Sequence, residues 1–110
     1  MKLISSVVRP DLVDAIRLGL GRLNVGALTV AQTRDFSPQM HDTTVWMGRE
    51  CRTGSSLKME VRVIVHDEEV DAVVGAIMQS GRTGRAGDGH ICVMALEHRY
   101  NICNGQRDVS

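Results

Sequence analysis

The sequence predicts an α+β domain in which strand, helix, strand, strand, helix and strand follow one another. Two observations carry this. Apolar residues recur at three- and four-residue spacing in two segments, and alternate with polar residues in the clearest of the strand segments. Right-handed crossovers reduce such an order to a ferredoxin-like βαββαβ arrangement, an antiparallel four-stranded sheet with both helices on one face. The 110 residues suit one domain, 1–110, and Val, Ile, Leu and Phe make up about a quarter of them, above the level of disordered chains.

The first strand runs from Lys2 to Arg9 and is stopped by Pro10, which cannot continue a ladder. Leu12, Val13, Ile16, Leu20 and Leu23 then mark one face of a helix with Asp11 and Asp14 near its positive end, stopping near Asn24 to Gly26. Ala27 to Phe36 reads as the second strand. Residues 37–56 are polar, contain Pro38, Gly48 and Gly54, and show no sustained period, which predicts a long loop without regular structure. From Leu57 to Val65 alternation is cleanest, with Leu57, Met59, Val61, Val63 and Val65 on one face and Lys58, Glu60, Arg62 and Ile64 on the other. Asp67, Glu68 and Glu69 introduce a second helix through Val70, Val73, Val74 and Ile77 that ends at Ser80 to Gly81. The glycine-rich segment 82–89 leads into a last strand from His90 to about Leu96, and a polar tail occupies 97–110. The sheet face away from the helices is open, and Ile4, Val8, Ile64 and Cys92 or Val93 are expected to line it. A surface of that kind in a small protein is usually covered by another subunit.

Several function classes are excluded at this level. Thirteen basic residues balance thirteen acidic ones, and only Phe36, Trp46 and Tyr100 are aromatic, so neither bulk charge nor a stacking platform points to nucleic acid. No apolar run crosses a bilayer and the N-terminus has no signal-peptide pattern, so a soluble cytoplasmic protein is expected. Cys51, Cys92 and Cys103 have no CxxC spacing, which predicts free thiols, with Cys92 in the core. No nucleophile, base and orienter can be read together, so no enzyme is expected.

Two segments carry function. In the 37–56 loop, Asp42, Thr43, Trp46, Glu50 and Cys51, with Gln39, offer polar groups and one ring for docking a partner. In the second, Arg82, Thr83, Gly84, Arg85, Gly87, Asp88, Gly89 and His90 form a loop in which glycines let amides approach an anion and arginines supply charge. Asp88 is expected to cap loop amides.

The stretch Arg82-Thr83-Gly84-Arg85-Ala86-Gly87-Asp88-Gly89-His90-Ile91, followed by Val93, Leu96-Glu97, Ile102 and Gly105, resembles the signature of the PII nitrogen-regulatory signal proteins. Met1-Lys2-Leu3-Ile4, Arg9-Pro10, Leu28-Thr29-Val30, Phe36, Gln39, Thr43, Gly48, Glu50, Lys58 and Val70-Asp71 extend the resemblance to about Gly105 without a gap. The resemblance implies a homotrimeric signal-transduction regulator whose long loop docks a target protein, a transporter or an enzyme. It also implies adenine nucleotides (ADP, AMP or ATP) as effectors in clefts between subunits, with phosphates on the Thr83–Gly89 loop and Thr29 and Ile64 beside the adenine. Gln39 would help hold magnesium with 2-oxoglutarate, and Lys58 would pair with that acid.

The chain departs from the family pattern at informative places. Pro38, His90, Asn101 and Cys103 stand where relatives usually carry basic residues, Arg62 replaces an acid beside the base, and Asp35 and Ser37 replace glycines. Each charge-assisted hydrogen bond is worth roughly 1.5 to 3 kcal/mol, so ordinary ATP and 2-oxoglutarate sensing is expected to be weakened. Cys51 takes the place of a modified tyrosine, which removes that modification. The alternative reading is a metal-binding or purely structural trimer that has lost nucleotide binding, using His41, His66, His90 and His98 with Cys92 and Cys103.

Overall fold

The computed structural model describes residues 1–23, 25, 27–36, 43–46, 49–52 and 55–108, and for 43–46, 49–52 and 55 it describes the backbone. Strand β1 (Lys2–Val8) leads through a 3-10 turn (Pro10–Leu12) into helix α1 (Val13–Gly21). Strands β2 (Leu28–Phe36), β3 (Thr43–Trp46), β4 (Arg49–Arg52) and β5 (Ser55–Val65) follow, then a 3-10 turn (Asp67–Glu69), helix α2 (Val70–Gly81) and strand β6 (His90–Ala95). The sheet order is β2-β5-β1-β6, all neighbours antiparallel, which is the ferredoxin-like arrangement.

Alternation places the core. Ile4, Val8, Val61, Val63 and Val65 point to the helix side, where Ile16 and Leu20 of α1 and Val73 and Ile77 of α2 close over them. Ile4 and Val8 were expected on the open face and lie in this core instead. Register decides it: Ile4 stands opposite Val63, and residues directly opposite share a face. Val93, also opposite Ile4, is on the helix side, while Ile64 and Cys92 take the open face opposite Leu3 and Ser5. Cys92 is therefore exposed in the single chain rather than in the core.

The helices depart from expectation only at their ends. Helix α1 stops at Gly21, three residues early, where Gly19 and Gly21 lower helix propensity. The acidic turn before α2 behaves as read, with Glu69 Oε1 accepting the His66 amide at 3.0 Å. Gly81 packs closely at the end of α2, since a Cβ there would stand 3.3 Å from Ile16 Cδ1.

The larger correction concerns residues 37–56. Strands β3 and β4 form an antiparallel ribbon with Thr43 opposite Arg52 and Trp46 opposite Arg49, and β5 begins at Ser55 rather than Leu57. The signal is local: Thr43, Thr44, Val45 and Trp46 are β-formers, and two residues separate the strands, the length of a tight hairpin connection. Gln39 and Asp42 lie outside the described residues, as do Pro38, His41, Gly48 and Gly54. The tail is also ordered. Tyr100 bridges Arg107, the Asn101 amide donates to the Gln106 carbonyl at 2.8 Å, and Gly105 turns at φ +70°.

Candidate functional site

The glycine-rich loop sits beside the C-terminal end of β1. Val8 pairs with Met59, which puts Arg9 next to Lys58, and Val7 pairs with His90, which brings 82–89 down onto both. Asp88 organises the loop. Its Oδ1 accepts from Arg9 Nε at 2.9 Å and from the Thr83 hydroxyl, and its Oδ2 accepts the amides of Thr83 and Gly84, each at 2.9 Å. These bonds, the Thr83 hydroxyl first and Arg9 next, hold the carboxyl well below the usual carboxylate range. The capping role expected of Asp88 is what the hydrogen bonds describe.

Cations close the loop from beneath. Arg9 Nη2 donates to the Ala86 carbonyl at 2.9 Å, and Lys58 Nζ donates to the Gly87 carbonyl. Lys58 was read as an exposed-face residue, yet it is only 5% exposed because its ammonium is drawn under the loop. With these carbonyls turned inward and two amides given to Asp88, an arriving anion meets the amides that follow Arg85. Arg82 and Arg85 are exposed at the rim. Gly84, Gly87 and Gly89 have φ of +82°, +92° and +100°, so the turn needs residues without Cβ. At Gly89 the demand is absolute, since a Cβ would lie 1.7 Å from the Val7 carbonyl oxygen.

Thr29 and Ile64 are elsewhere. They line a cavity of about 400 Å³ with Leu3, Ala27, Arg62 and Arg99 at the opposite end of the sheet. Ile64 stands opposite Leu3, four residues along β1 from Val7, a separation of roughly 13 Å at strand rise. One chain therefore assembles two half-sites: 82–90 with Arg9 and Lys58, and Thr29 with Ile64. Arg9 was not singled out as a site residue. Its signal was available, because Pro10 ends β1 and the βαββαβ order returns the 82–89 loop to that strand end.

The remaining candidates do not converge. His90 and Cys92 share the open face of β6, but among the described residues no three His, Cys, Asp or Glu side chains are placed to hold a metal ion. Thr43, Trp46, Glu50 and Cys51 fall on the β3–β4 ribbon, away from both half-sites in sequence and in sheet pairing. Among the described residues no helix is long and apolar enough to cross a membrane.

A family model described as Nitrogen regulatory protein P-II matches residues 1–106. The chain belongs to the P-II family. Curated relatives named Nitrogen regulatory protein P-II include those of Rhizobium etli and Haemophilus influenzae, each 31% identical over 98% of this chain and 96% of the relative. That of Pasteurella multocida is 32% identical over the same shares. P-II proteins are signal-transduction regulators, and the ferredoxin-like sheet with its glycine loop is the P-II fold carried by this chain.

Proposed function

We propose that this P-II protein is a homotrimeric cytoplasmic regulator that binds a small anionic effector, a purine nucleotide, in clefts between subunits and controls a target protein through residues 37–56. The observation that carries this reading is the division of the site: the phosphate-type loop and the Thr29–Ile64 cavity lie at opposite ends of one sheet, so a ligand spanning both needs two chains. The open sheet face between them, with Leu3, Ser5, Ile64, Cys92 and Met94, supplies the apolar surface for association. Effector binding then stabilises one arrangement of the 37–56 segment over another, and the partner, a transporter or an enzyme, reads the difference.

Adenine nucleotides are the first ligands to test. Because His90, Asn101 and Cys103 bring no fixed positive charge to the phosphates, ADP or AMP is expected to bind no worse than ATP in calorimetry. Gly87→Ala, at φ +92° and with Arg9 Nη2 and Lys58 Nζ within 3.6 Å of the new Cβ, is expected to weaken that binding. Sedimentation is expected to report a trimer. A monomer at micromolar concentration, or no heat with any nucleotide, contradicts the reading.

A further inference from the structure

We propose that Arg62 and Arg99 make the Thr29–Ile64 cavity selective for a 6-oxopurine base, guanine or hypoxanthine, over adenine. The inference rests on the nucleotide reading above and concerns which base the far half-site accepts.

The cavity's chemistry is one-sided. Among the described residues its only charged lining groups are two guanidinia, and Leu3, Ala27 and Ile64 supply apolar wall. The carboxylates that pair with these arginines are not part of the lining. Arg62 Nε engages Glu60 Oε1 at 2.5 Å, and Arg99 Nη1 lies 3.3 Å from Asp108 Oδ2. Five N–H donors on each guanidinium leave several uncommitted after one such contact. A ligand edge entering here meets fixed donors and must accept.

Purines differ at that edge. A 6-oxopurine presents O6 and N7, two acceptors that match the guanidinium fork, whereas adenine presents its amino donor at position 6. Arginine set against adenine's amino group places donor against donor in a partly desolvated wall, and unpaired polar groups there discriminate strongly.

Arginine-to-purine forks discriminate by about 1–3 kcal/mol, or roughly 5- to 150-fold. Calorimetry of the whole protein with ADP, inosine diphosphate and GDP separates the cases, because ADP and inosine diphosphate differ only in the group at position 6. The expected result is inosine diphosphate and GDP at least about fivefold tighter than ADP. Arg62→Glu, which supplies an acceptor, is expected to reverse that order, and Arg62→Gln to level it, with melting temperatures confirming that each variant folds. ADP binding as tightly as inosine diphosphate, with the order unmoved in Arg62→Glu, overturns the base selectivity while leaving the nucleotide reading intact. No binding of any of the three overturns both.

Discussion

The two half-sites sit on the same sheet and are built on opposite principles. At the β1 exit, nearly every polar group of the glycine loop is engaged within the chain: Asp88 holds Thr83 and Gly84, and Arg9 and Lys58 hold the Ala86 and Gly87 carbonyls. At the β5 exit, Arg62 and Arg99 flank a cavity and pair only with partly exposed carboxylates at its margin. The difference shows which half is shaped before a ligand arrives. A loop that must present amides to an anion gains from being fixed in advance, because ordering it at the moment of binding would subtract from affinity. The other half is left to be completed by what meets it.

The largest expected effect breaks the fixed half outright. Gly89→Ala sets a Cβ against the Val7 carbonyl at a φ that other residues rarely adopt, and it is expected to cost about 3 kcal/mol or more in denaturant unfolding. A variant as stable as the parent contradicts the described approach of loop to strand. Lys58→Met comes next. It removes the buried donor beneath Gly87 while keeping the apolar stem, and a loss of about 1–3 kcal/mol is expected, with weaker nucleotide binding beside it. The mirror substitution Arg99→Met, at the open half, is expected to leave the melting temperature nearly unchanged.

A smaller and pH-dependent effect sharpens the comparison. Asp88 titrates below the ordinary 3.8 in the folded chain because the Thr83 hydroxyl, then Arg9, favour its charged form. Its contribution is thus present above about pH 4 and is lost as pH falls from there towards the depressed native value. Asp88→Asn is expected to melt lower than the parent at pH 7, with the gap closing as pH drops below 4. A gap of constant size across that range removes the carboxylate from the account.

Much of this was legible in the residues. The β5 alternation and the two apolar helical stripes specify the sheet and its helix side, and the glycines at 84, 87 and 89 announce a turn of positive φ. What escaped was non-local. Whether Ile4 faces helices or solvent depends on its register against Val63, which no window of β1 contains. The burial of Lys58 depends on a carbonyl twenty-nine residues away. The β3–β4 ribbon was missed because breakers on either side outweighed four consecutive β-formers.

The central claim is that the site is divided between chains, and complementation tests it most directly. Ala86→Glu places a carboxylate on the phosphate loop, and Thr29→Trp fills the far cavity, so each variant alone is expected to bind no nucleotide. Co-expressed in equal amounts, they form mixed assemblies in which a cleft combines an intact loop from one chain with an intact cavity from its neighbour. Random mixing makes about one cleft in four intact, so calorimetry is expected to recover about a quarter of the parent's sites at the parent's affinity. Recovery of no sites, in mixed assemblies shown to contain both chains, would place the whole site within one chain and contradict the account.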